Sequence, residues 1–124
     1  DVIWSESSLA KFNMTLRDEI SRYGFPNIFG LGVRIAGQLL SGIDPTDLNP
    51  VYSLSDNKNY FFTHGKLDQR IYIKHFNYIK DFVKKNNINA DFWLIENAGH
   101  VDSIFMNTEE YGIKMRDFFI KYLQ

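Results

Sequence analysis

Tyr60-Phe61-Phe62-Thr63-His64-Gly65-Lys66-Leu67-Asp68 is the stretch that decides how this chain folds. It begins as an unbroken apolar run, too short for a buried helix and rich in aromatics, so it reads as a strand covered on both faces. Gly65 then marks a turn, and an acid follows it. Ile95-Glu96-Asn97-Ala98-Gly99-His100-Val101 repeats the plan: a strand over 91–95, a Gly turn and one polar group. Between them, Ile71 to Asn86 carries Ile73, Phe76, Ile79, Phe82 and Val83 at helical spacing. A strand, a helix and a strand in this order imply parallel strands joined by a helical crossover. Asp68 and His100 therefore fall on loops at the same edge of one sheet, where open α/β sheets place their chemistry.

Working outward, Val2-Ile3-Trp4 reads as a further strand. It begins almost at residue 1, which leads us to expect a longer protein. Ser5-Glu6-Ser7-Ser8 offers helix N-cap chemistry, and Leu9, Phe12, Leu16 and Ile20 predict an amphipathic helix over roughly 8–22. Tyr23-Gly24-Phe25-Pro26-Asn27 ends it. A second helix is expected over about 31–40, weakened by Gly32 and Gly37. Asp44 to Pro50 is a turn-rich connector. Asn107-Thr108-Glu109-Glu110 has the form of a capping box for a last helix reaching about Tyr122. The expected architecture is α/β: three parallel strands with flanking helices, a sandwich.

The totals exclude several classes. With 14 Lys+Arg against 15 Asp+Glu the net charge is −1, so no basic field invites nucleic acid or an anionic membrane. No apolar run approaches the length of a transmembrane segment. The sequence has no Cys, which removes disulfides, thiolate zinc sites and a cysteine nucleophile. No cofactor is expected. His64, Asp68 and His100 are ligand types for a metal, but none is paired at a ligand-motif spacing, so no metal is expected either. The compartment is unknown from sequence.

A histidine serves as general base when a carboxylate fixes its tautomer and stabilises its protonated form. Asp68 and His100 can meet to do this. The bland readings are a plain turn Asp and a structural loop His. Asp102 is the fallback acid, and Glu96 also flanks His100. His64 reads as a turn histidine bracing the Asp68 loop, and His75, among lysines, as a solvated residue. Ser5, Ser7 and Ser8 follow a strand but lack flanking glycines, so they read as helix caps. Phe61, Phe62, Phe82, Phe92, Trp93, Phe118 and Phe119 read as core, since no basic residues interleave them.

His64-Gly65-Lys66-Leu67-Asp68, the helix after it, Gly99-His100 and a terminal helix together resemble the C-terminal portion of the α/β-hydrolase fold. The likeness is to its esterase, thioesterase and serine-aminopeptidase branches, and is strongest over 59–123. It implies that Asp68 is the triad acid and His100 the triad base, in the chain order Ser, Asp, His. Val2 to Ser5 would be the sixth strand of the eight-stranded family sheet. Residues 1–124 would be the C-terminal portion of a single domain. Residues 8–55 would be a lid or cap, with Phe25, Ile28, Phe29 and Leu31 lining an apolar acyl pocket, and 56–124 would carry the acid and the His. The family's Gly-x-Ser-x-Gly elbow does not occur in this sequence; by the resemblance it lies before Asp1, with the oxyanion hole. The substrate implied for the full-length protein is a small-molecule or peptide acyl compound, and this chain alone would be inactive. The alternative is a non-enzymatic α/β module that self-associates through an open strand edge.

Overall fold

The computed structural model describes residues 1–123. The elements are β1 (Val2–Glu6), α1 (Phe12–Arg22), α2 (Phe29–Ser41), two 3-10 turns (Pro45–Asp47 and Pro50–Ser53), β2 (Asn59–Gly65), α3 (Ile73–Lys85), β3 (Ala90–Ile95), α4 (Ser103–Met106) and α5 (Thr108–Leu123). They divide into two compact units, Leu9–Ser53 and the remainder.

In the larger unit the three strands form one parallel sheet in the order β1-β2-β3. Trp4 pairs with Phe61, and Phe62 with Phe92. Alternate side chains of β2 point to opposite faces, and each face meets its own helix. On one side Tyr60 stacks near Phe62, Phe62 on Phe92, and Phe76 of α3 meets Phe92 edge-on at 5.6 Å. On the other, Trp4 stacks on Phe61 with centroids 4.0 Å apart, and Phe118 of α5 packs edge-on against both. Aromatic pairs of this kind contribute about 0.5–1.5 kcal/mol each beyond area burial. Covering on both faces explains why β2 is a continuous apolar run rather than an alternation.

Several expectations need correction. β1 runs on through Ser5 and Glu6, and α1 starts at Phe12. Lys11 is the N-cap position, with no side-chain cap. The serines are thus not caps: Ser5 lies in β1, and Ser5 and Ser8 hydrogen-bond each other. His75 is not solvated but fully buried. It shares the core stripe of α3 with Ile79 and Val83, at spacings of four. The short α4 carries too few residues for a periodic signal.

Gly65 closes β2 where the next turn crowds it. A Cβ there would run into the backbone carbonyls of Ala98 and Gly99. That close approach lets Lys66 N–H donate to Ile95 O at 2.8 Å and Leu67 N–H to Ala98 O at 2.9 Å. The two loops are thereby zipped together. We expect Gly65→Ala to lower stability by about 3 kcal/mol, the upper range for an overpacked site. Gly112, inside α5 with nothing near its Cβ position, should instead gain about 0.5–1 kcal/mol as Ala. Urea midpoints of the two variants check this; equal shifts would refute the clash.

In the smaller unit, Leu9–Ser53, α2 buries none of its residues, and Leu39 and Leu40 are 80% and 89% exposed. Gly37 lets Pro45 of the connector pack against α2, where a Cβ would collide with the ring. Asp44 fixes that connector. It accepts from Thr46 N–H at 2.8 Å and pairs with Arg34. These hydrogen bonds hold its carboxyl far below the usual range.

Candidate active site

Asp68 and His100 meet at the carboxyl end of the sheet. His100 Nδ1 lies 2.9 Å from Asp68 Oδ2. A carboxylate only accepts, so Nδ1 carries the proton, and a neutral His100 keeps its lone pair at Nε2. The Asp68 side chain is fully buried and that of His100 is 31% exposed. The acid is thus sealed, while the ring keeps one side open.

Asp68 is held from several directions. Its Oδ1 accepts from the backbone N–H groups of Arg70 and Ile71, each at 2.8 Å. Burial pushes the Asp68 carboxyl up; the bonds from His100, Ile71, Arg70 and Ser7 outweigh this and leave it below its ordinary 3.8. Such saturation keeps the group ionised in a buried place.

His64 lies within β2 rather than in a turn, and from there it braces the acid's loop. It is 1% exposed, its Nε2 donates to Ile71 O at 2.8 Å, and its ring packs on Phe76. Ile71 in turn donates to Asp68, so β2 and the acid's loop are tied through one residue. Burial depresses the His64 ring below its ordinary 6.5, despite the nearby Asp68 charge.

These directions set the pH dependence. Below about 6.5 the unfolded chain protonates at residue 64 while the folded ring stays neutral, so stability falls with pH. Asp68 has a lowered folded-state pKa, so its contribution is complete above about 3.8 and is lost as pH drops through the folded-state value. We expect a plateau near neutrality, then two successive losses on acidification. His64→Gln should remove the first. Denaturant midpoints from pH 7 to 3 check this, and stability that rises between pH 7 and 5 would contradict it.

Sequence reasoning placed Asp68 and His100 together, as the structure does, but missed what surrounds them. Ser7 and Glu6 lie at the site, and their position just past an apolar strand was the available signal. Asp102 lies beside Gly99, while the carboxylate on His100 is that of Asp68. Glu96 forms an exposed pair with Lys66, of a kind worth little. Among the described residues no group of three or more His, Asp or Glu converges as a metal shell would. No described helix is long and apolar enough to cross a membrane.

No protein-family model and no curated protein matches the sequence. Solved structures do. A Pyrococcus furiosus esterase matches in two crystal forms, at 21% and 20% identity and TM-scores of 0.69 and 0.64. The matches cover 99% and 97% of this chain and 46% and 44% of the esterase. A Pyrococcus horikoshii acylaminoacyl peptidase matches at 14% identity and TM-score 0.66, over 95% of this chain and 19% of the peptidase. The chain has the fold of the C-terminal part of an α/β hydrolase. It spans less than half the length of either hydrolase.

Proposed function

We propose that this chain supplies the acid and base of a serine hydrolase acting on an ester, thioester or amide. The observation that carries the reading is the Asp68–His100 pair: a saturated, buried carboxylate 2.9 Å from Nδ1, with Nε2 on the open side. In this reading the serine and the oxyanion hole come from sequence preceding Asp1. His100 Nε2 takes the serine proton as Oγ bonds to the acyl carbon, and Asp68 stabilises the imidazolium. The imidazolium then protonates the leaving alcohol, thiol or amine as its bond to the acyl carbon breaks. Water repeats the cycle on the acyl-enzyme and regenerates the serine.

The segment 8–55 is the lid or cap of this reading. Its support is the apolar surface it exposes, Phe25, Ile28, Phe29 and Leu31 among others, suited to an acyl chain. The test is the full-length protein against aryl esters, acyl thioesters and aminoacyl amides. Turnover that a serine-directed fluorophosphonate abolishes is the expected result. No turnover of any of the three and no labelling would overturn it.

One observation favours a second reading, association without catalysis. β1 is an edge strand of the described sheet, and open edges recruit other strands. Light scattering of the isolated chain separates the two: a monomer at every concentration counts against association.

A further inference from the structure

We propose that Glu6-Ser7, at the carboxyl end of β1, is a positioning clamp that fixes the His100 loop against the end of the sheet. The proposal rests on the reading of Asp68 and His100 as acid and base. It adds residues that no triad comprises.

Ser7, just past β1, is 7% exposed, and its N–H donates to Thr63 O at 3.0 Å. Its hydroxyl has one proton to give and lone pairs to accept with. That hydroxyl also helps hold the Asp68 carboxyl below its ordinary value. Its oxygen accepts from Val101 N–H at 3.3 Å. One side chain just past β1 thus holds the residue next to the base, 94 positions away in sequence.

Glu6 grips the same loop two residues on. Its Oε1 accepts from Ser103 N–H at 2.9 Å. Its Oε2 accepts from Tyr111 O–H at 3.0 Å, and that hydroxyl accepts from Trp4 Nε1 at 2.8 Å. The His100 loop is therefore held at 101 and at 103 by consecutive residues of one strand end.

The backbone carries the same signature. Ser7 has φ 50° and Val101 φ 56°, and positive φ is a true outlier for a β-branched residue. Both lie within one hydrogen bond of each other, beside the pair. Such strain persists only where surrounding contacts over-determine the conformation, and it clusters at functional sites. A base must be held to about 0.5 Å for its proton transfer, and a loop strained at 101 needs an anchor to stay there.

Ser7→Gly and Ser7→Thr separate the hydroxyl from the backbone. Gly suits φ 50° but has no hydroxyl. In the full-length enzyme it should lower kcat about 30-fold with KM unchanged, at an unfolding midpoint equal to or above wild type. Thr keeps the hydroxyl but strains the backbone. It should hold kcat within about threefold while lowering the midpoint. Amide exchange at Val101 should quicken about tenfold in Ser7→Gly and not in Ser7→Thr. Wild-type kcat in Ser7→Gly, with His100→Ala inactive, overturns the clamp and leaves the acid–base reading standing. An active His100→Ala removes that reading, and Val101 exchange still decides whether Ser7 holds the loop. Unchanged exchange in Ser7→Gly overturns the clamp whatever the catalysis.

Discussion

On the proposed mechanism, replacing His100 by Ala in the full-length protein should lower kcat by at least about 10⁴-fold, with KM and folding stability close to wild type. The size follows from the chemistry. A serine hydroxyl is a poor nucleophile until its proton has somewhere to go, and Nε2 of His100 is the acceptor that the pair presents. In the proposed mechanism its protonated form is also the acid that the leaving group needs, so one side chain would act in both halves of the reaction. The effect falls on kcat because proton transfer is absent in the ground state. Stability should survive because the ring is partly exposed and Asp68 keeps its bonds from Arg70 and Ile71. Steady-state kinetics and a denaturation curve on the same preparation check both halves. Undiminished turnover would remove His100 from the mechanism.

How much of this was legible in the sequence depends on the range of the forces involved. The Asp68–His100 meeting could be read because it is a consequence of topology. Parallel strands place their carboxyl ends on one edge, so an acid after β2 and a histidine after β3 converge whatever the details. The strands could be read because burial on both faces leaves unbroken apolar runs, as in Tyr60-Phe61-Phe62. What failed were the positions where a local pattern admits two outcomes. Ser5 to Ser8 satisfy the rule for a helix cap, yet hydrogen bonds to distant partners win. Glu6 reaches Ser103 and Tyr111, Ser7 reaches Val101, and the strand runs on. His75 was misread because Lys74 beside it suggested a polar face. The helix turns about 100° per residue, so neighbours in sequence need not share an environment. The stripe 75, 79, 83 was the better guide.

Asp68 should give the most discriminating pair of substitutions, because its two oxygens do different work. Asp68→Asn retains an acceptor for the Arg70 and Ile71 N–H groups. Those two donors fix the amide: its oxygen must face them, and its NH₂ must then face His100. An NH₂ donates, so Nδ1 of His100 is forced to accept, and the ring proton moves to Nε2. Nε2 can then no longer take a proton from serine. The expected loss in kcat is about 10³- to 10⁴-fold, with a modest change in stability. Asp68→Ala has a similar kinetic defect but a second, structural one. It leaves two backbone N–H groups without their acceptor, at about 1–3 kcal/mol each where they are buried. It also loosens Ile71, and with it the carbonyl that holds His64. Denaturant midpoints should therefore fall far more for Ala than for Asn, while both are nearly inactive. A tautomer assignment from ¹⁵N spectra of His100 tests the cause directly: Nδ1–H in wild type, Nε2–H in Asp68→Asn. An Asn variant that keeps Nδ1–H and wild-type kcat would show that the carboxylate does not set the histidine's state. Its place in the protein would then be that of a loop-forming acid alone.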